Sequence, residues 1–398
     1  MKKLIILALA LAPLRLFAQT EIVVWHAYRG GEKVAFEKVV NTYNASQNKI
    51  KVSSLAVPYD AFADKITAAV PRGKGPDVFI YAQDRLGGWV TAGNTIEPID
   101  FYLDKKLTDR FIPSTMQAMT YRKTVYGLPL NYKVMTMIYN KALVKTPPKT
   151  TGELVKVAKA NTNEASGRFG LVYWYSNWYY HAPLFNGFGG GVFDAAGKPI
   201  VNHPGNVKSV DLLMRWATKD KILPAEPSTA LITSLFNEGK AAIVFSGPWF
   251  LEEVSPKIQY GLALLPSIDE NAGKPMRPWM TVEGVFIAAP SKKKDQAFEF
   301  AKYLTDLGAT KVLALEGSQS PANKLVYNDA QVAANPVLKA FRAQVDTAVP
   351  MPNVPEMTLM WGPVTTAMNA IVQKASSPKA ALDKAQKEIV EQIAKLKK

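Results

Sequence analysis

The chain has no cysteine. That excludes a thiol nucleophile, a disulfide and a lipid-modified thiol at a new N-terminus. Histidine is nearly as scarce: His26, His181 and His203 are the only three, and no two stand at metal-ligand spacing. No G-x-S-x-G elbow and no Walker loop occurs. Beyond the first residues, no apolar run is long enough to span a bilayer. Internal repeats and low-complexity linkers are also lacking. A chain of 398 residues can fill two domains, each with a full core. Without a linker between them, the lobes are expected to be joined by several crossings of the chain.

What is present is ordinary for a globular protein, with 48% hydrophobic and 20% charged residues. The net charge is +15. The cations are dispersed, however, and the densest groups, Lys292-Lys293-Lys294 and Lys397-Lys398, read as solvated helix ends. No nucleic-acid motif accompanies them, so neither nucleic acid nor a membrane surface is an expected partner. Lys2-Lys3, the apolar run Leu4 to Ala12 and the small-residue site ending at Ala18 form the three parts of a secretory signal peptide, residues 1–18. The expected mature protein is soluble, monomeric and exported, in a bacterial periplasm.

Strand and helix signals alternate along the chain. Glu21 to Trp25, Ile50 to Ala56 and Asp77 to Ala82 read as strands, with helices over Glu32 to Tyr43 and Ala61 to Val70 between them. That alternation argues for parallel βαβ units. Further strands are expected at Gly170 to Tyr173, Ala241 to Ser246, Tyr260 to Leu265 and Val285 to Ala288. From Asp295 onward the pattern is mostly helical. The last helix, Ala380 to Leu396, places Leu382, Ala385, Ile389, Ile393 and Leu396 on one stripe. The run Gly187 to Gly191 lacks the flanking strand and helix of a phosphate cradle and reads as a turn.

Two features carry chemistry. The stretch GPDVFIYAQDRLGG, from Gly75, has a buried strand that delivers Tyr81, Gln83, Asp84 and Arg85 to its carboxyl end, where open α/β sheets bind ligands. An aromatic face beside a charged hydrogen-bonding pair suits a polyhydroxylated ligand. Equally, Asp84 could cap the helix starting near Leu86 while Arg85 pairs on the surface. The second feature is aromatic: Tyr173-Trp174-Tyr175 and Trp178-Tyr179-Tyr180, with Trp249 and Trp361 beyond turns. Trp174 is expected in the core, and Trp178, Tyr179 and Trp249 as stacking surface.

Four segments resemble the bacterial extracellular solute-binding proteins of sugar ABC importers, in particular the maltose/maltodextrin-binding branch. They are GPDVFIYAQDRLGG, LPLNYKVMTMIYNKALV from Leu128, FNEGKAAIVFSGPW from Phe236 and MPNVPEMTLMW from Met351. The resemblance implies an α/β, two-lobed periplasmic binding protein (flytrap) fold with discontinuous lobes and a multi-strand hinge. The N-terminal lobe would comprise residues 19–131 and 285–334, and the C-terminal lobe 132–284 and 336–398. It implies a non-enzymatic binder without a cofactor, which hands an oligosaccharide to a membrane ABC permease complex.

Carried over, the family's first-lobe aromatic and ion pair fall on Tyr81, Asp84 and Arg85. The second-lobe contacts fall on Tyr179, Trp249, Met351 and Trp361. Acidic positions depart: a hinge glutamate falls on Lys133, a second on Asn177, an Asp-Lys pair on Arg29-Gly30, and a helical Lys and Glu on Ala61 and Ala63. The expected ligand is a maltose/maltodextrin-like oligosaccharide; because Lys133 and Arg29 facing one cleft would favour a carboxylate-bearing sugar, an acidic (uronate) oligosaccharide is the alternative. The same fold would also accommodate a ferric ion held by Tyr179, Tyr180 and His26. A secreted carbohydrate-active enzyme is the remaining rival function.

Overall fold

The structure is a computed structural model that describes residues 19–396. The signal peptide expected over residues 1–18 lies outside the described residues. Nine main strands carry the fold: β1 (Thr20–His26), β2 (Ile50–Ala56), β3 (Val78–Ala82), β4 (Gly127–Val134), β5 (Thr136–Asn140), β6 (Phe169–Val172), β7 (Ala241–Ser246), β8 (Tyr260–Ala263) and β9 (Trp279–Ile287). Two short ones follow, β10 (Ser320–Pro321) and β11 (Val349–Pro350). The helices that matter for the site are α1 (Gly30–Ser46), α2 (Tyr59–Ala69), α3 (Leu86–Ala92), α4 (Trp178–Gly187), α5 (Trp361–Val372) and α6 (Pro378–Leu396).

The strands form two principal sheets. The larger runs β10-β4-β9-β3-β1-β2, with β11 extending the β3 side of β9. Within it β1 pairs in parallel with β2 and β3, as the βαβ reading expected, while β9 is antiparallel to both β3 and β4. The smaller runs β8-β5-β7-β6. Both sheets are covered on both faces. On β3, Val78 and Ile80 enter one core and Phe79 and Tyr81 another. On β7, Ile243 and Val244 divide in the same way. Alternate residues point to opposite faces, so a strand buried twice reads as an unbroken apolar run.

Among the described residues the chain passes between the two lobes at three places, and at the first two adjacent residues join different cores. Val134 belongs to the first lobe's core and Met135 to the second's. Trp279 belongs to the second and Met280 to the first. Phe341 packs in the first and Met351 in the second. The α6 stripe is buried at Leu382, Ala385, Ile389 and Ile393, and packs the C-terminal segment onto the second lobe. The Leu396 side chain lies outside the described residues. No described helix is long and apolar enough to cross a membrane.

Candidate functional site

Carboxyl ends of strands converge on the space between the lobes, where ligands of open α/β sheets sit. From the first lobe, β1 leads to Tyr28 and Arg29, β2 to Tyr59, and β3 to Asp84 and Arg85. From the second, β6 leads to Asn177, Tyr179 and Tyr180, and β7 to Trp249.

The first-lobe wall differs from expectation at Tyr81. Its ring stacks with Phe62 (centroids 5.0 Å apart, 6° between planes) and with Tyr59 (5.3 Å, 26°), and only 6% of the residue is exposed. Core packing above β3 therefore claims Tyr81. The ring left accessible is that of Tyr59, 55% exposed at the start of α2. Burial pushes the Tyr81 hydroxyl up to about 12, so it stays a neutral hydrogen-bonding group. Asp84 does not cap a helix. The N-cap of α3 is Arg85, and no side chain caps it. Burial raises the Asp84 carboxyl to about 6, opposed by Arg85, whose Nε lies 3.4 Å from Asp84 Oδ2.

The second-lobe wall is aromatic. Trp249 Nε1 donates to Tyr180 Oη at 3.1 Å, and the Trp249 ring lies 5.9 Å from that of Tyr179. Trp361, half-buried at the start of α5, meets Trp178 (5.2 Å) and Trp279 (5.8 Å) edge to face. Its buried Nε1 has no hydrogen-bond partner among the described residues. Trp178 and Trp174 exchange their expected roles. Trp178 opens α4 and is 1% exposed in the core, whereas Trp174 stays half-buried in the preceding loop against Tyr180. Asn177 caps α4, its Oδ1 accepting from Tyr179 N at 2.9 Å. Met351 is 5% exposed and held at its backbone, donating to Met280 O (3.0 Å) and accepting from Gln83 Nε2 (3.1 Å).

Between the walls, Lys133 is not a free cation. Its Nζ lies 3.1 Å from Glu32 Oε1 and 3.1 Å from Glu283 Oε1. Burial works against the ammonium, but the Glu283 and Glu32 carboxylates outweigh it and hold Lys133 protonated. Tyr28 Oη donates to Glu283 Oε2 (3.1 Å) and accepts from Asn131 Nδ2 (3.1 Å). The lobes meet where Tyr179 Oη approaches Thr281 Oγ1 at 3.4 Å. Arg29 lies at the rim, 3.9 Å from Glu253 of the second lobe, with 79% of its side chain exposed.

The family model of the bacterial extracellular solute-binding proteins matches residues 29–311. The chain belongs to that family. A maltotriose-binding protein of Pyrococcus abyssi (strain GE5 / Orsay) is 31% identical, over 94% of this chain and 82% of the relative. A galactooligosaccharide-binding protein of Bacillus subtilis (strain 168) is 30% identical, over 92% and 88%. A cyclo/maltodextrin-binding protein solved with maltotetraose superimposes with a TM-score of 0.83 at 31% identity, covering 94% of this chain and 97% of that one.

In this solute-binding protein the case for an acidic sugar fails on the electrostatics. It needed Lys133 and Arg29 as free cations in the cleft. Two carboxylates compensate the first, and the second is screened at the rim beside Glu253. The ferric set is not assembled either. His26 is buried in the first lobe with its ring 4.6 Å from Phe36, while Tyr179 and Tyr180 stand on the second. The described residues contain no group of three or more His, Asp or Glu suited to a metal ion.

Sequence reasoning missed Tyr28, Glu32, Tyr59, Trp279, Thr281 and Glu283. For Glu283 a signal existed: it is the lone carboxylate in the apolar run WMTVEGVFI, and a buried charge requires a partner. Pattern marks that run as a strand only from Val285, because a twice-buried strand shows no alternation.

Proposed function

We propose that the protein is the periplasmic substrate-capturing component of an ABC importer and that it takes neutral, maltodextrin-like oligosaccharides. The observation that carries this reading is the pairing of a wall of indole and phenol rings with a first-lobe wall of ionised hydrogen-bonding groups whose one buried ammonium is already compensated. Rings cover the C–H faces of sugars, and carboxylates and phenols bond their hydroxyls. The ligand-facing set is Tyr59, Asp84, Arg85, Tyr179, Trp249 and Trp361, with Tyr81, Asn177, Met351, Lys133 and Arg29 supporting it. The relatives' named ligands, maltotriose and galactooligosaccharide, support the class.

The lobes would hinge at the crossings Val134/Met135 and Trp279/Met280 and in the segment between Phe341 and Met351. Closure then needs no catalysis, since ligand that touches both walls favours the closed state by its differential affinity. Delivery to a membrane permease and export by the residue 1–18 segment belong to the same reading.

Calorimetry with maltotriose, a β-galactotriose and trigalacturonate tests it. Heat with maltotriose and none with trigalacturonate is the expected result. A trigalacturonate signal with no maltotriose signal would overturn the reading.

A further inference from the structure

The triad of Glu32, Lys133 and Glu283 carries two carboxylates and one ammonium, with each side chain at most 20% exposed. A structural ion pair needs only one carboxylate. The second leaves excess negative charge in a poorly solvated place, which is costly unless hydrogen-bond donors surround it. We propose that those donors are hydroxyls of the bound oligosaccharide, accepted by Glu283, with Lys133 as the positioning residue that aims the carboxylate. This rests on the oligosaccharide reading above.

Register places Glu283 where it can do this. Thr281 and Glu283 are two residues apart on β9 and share a face of the strand. Thr281 is the residue on that face that meets Tyr179 of the opposite lobe. Across the ladder, Thr281 pairs with Lys133 and Glu283 with Asn131. The face carrying the triad is therefore the one the second lobe closes upon.

Glu283 also has acceptor capacity to spare. An ionised carboxylate offers about four acceptor positions. Lys133 occupies one on Oε1 and Tyr28 one on Oε2. Next to it Asn131, 1% exposed, gives both Nδ2 hydrogens away, to Tyr28 and to Gln319, and keeps a buried Oδ1 without a partner among the described residues. A second unfilled acceptor thus adjoins the carboxylate. Tyr59 and Tyr81 lie on the same wall: burial raises both phenols, and the Glu283 charge adds to that rise.

The experiment is maltotriose calorimetry on the full mature chain with thermal melting in parallel. Glu283→Gln should lose affinity roughly 10- to 100-fold, the value of a hydrogen bond to a charged acceptor, with an unchanged melting temperature. Lys133→Arg should retain binding. Lys133→Met should make affinity rise with pH, because burial already raises the Glu32 carboxyl and the lost ammonium no longer opposes that rise. A packing role would give no such profile. Wild-type heat with an E283Q affinity within about threefold of it would overturn the proposal alone. No wild-type heat with any of the three oligosaccharides would overturn the oligosaccharide reading itself. Should E283Q fail to fold, Glu283→Asp keeps the charge but withdraws it by one methylene. Retained affinity in that variant would overturn the proposal, and loss beside a binding Lys133→Arg would support it.

Discussion

Burial acts on Asp84 and on His181 with opposite consequences, because the first is charged when deprotonated and the second neutral. The Asp84 carboxyl sits at about 6, above its unfolded value near 3.8. Its favourable contribution is complete below about 4 and is lost as pH rises through 6. Asp84→Asn should therefore raise stability at pH 8, by up to about 3 kcal/mol, while weakening oligosaccharide binding at least tenfold. Denaturant titration and calorimetry on one preparation check both signs. His181 behaves in the reverse sense. Its nitrogens face Tyr173 Oη and Ser209 Oγ, each at 3.3 Å, and burial lowers its pKa to about 3. Stability from the neutral ring is complete above about 6.5 and is lost as pH falls toward 3. Between pH 6.5 and 4 that loss is about 3 kcal/mol. His181→Gln should flatten this acid limb in urea melts taken across the range. His26, lowered to about 4 by burial, adds to the same limb.

Two glycines show how elements constrain the site differently. A Cβ on Gly247 would overlap the outer edge of the Trp249 indole. That ring is the far end of a side chain and can swing away. Gly247→Ala should then cost less than about 1 kcal/mol of stability yet lose at least tenfold in affinity, as the stacking surface moves. At Gly87 the obstacle is backbone. Its N donates to Asn353 O at 2.8 Å, and a Cβ would lie 2.9 Å from Pro355 N. The segment after Met351 cannot retreat, because Asn353 Nδ2 donates to the carbonyls of Ala118 and Thr120 at 3.0 and 2.9 Å. Gly87→Ala should destabilise by about 1–3 kcal/mol, the range for overpacking, with a visibly lowered melting temperature. Helix and strand positions at this scale are largely legible in the sequence. Ile50 to Ala56 and Ala241 to Ser246 match their observed bounds, and α1, α2 and α6 agree within a few residues. The strands β4 and β5 are not visible as pattern, because each is buried on both faces and β5 follows β4 after a single residue.

At the scale of the molecule, three chain crossings among the described residues join the two lobes and leave the walls free to meet. Two contacts between the cleft walls differ in kind. Tyr179 and Thr281 meet deep in the cleft, whereas Arg29 and Glu253 pair at its rim. An ion pair 3.9 Å apart with one partner 79% exposed is worth under about 1 kcal/mol. Glu253→Gln should thus change maltotriose affinity by less than about fivefold, and the effect should vanish in about 0.5 M salt, where the Debye length falls to roughly 4 Å. A salt-independent loss would place Glu253 in direct contact with ligand instead. Small-angle scattering, with and without ligand, reads the accompanying closure.

Composition, alternation and four segments were enough to determine an α/β chain of two lobes, built without thiols, with aromatic residues at the ends of its strands. They carry that information because periodicity and turn chemistry are local. What only the tertiary structure decided is which of those residues are available and what charge the cleft holds. Tyr81 and Trp178 are claimed by cores, while Tyr59 and Trp174 keep accessible surface. Lys133, read along the chain, is a cation at a position that should be acidic. Read across the sheet, it is the partner of Glu32 and Glu283. Charge compensation depends on which strands lie side by side. That neighbour relation is set by the packing of the whole chain, so no local pattern can report it.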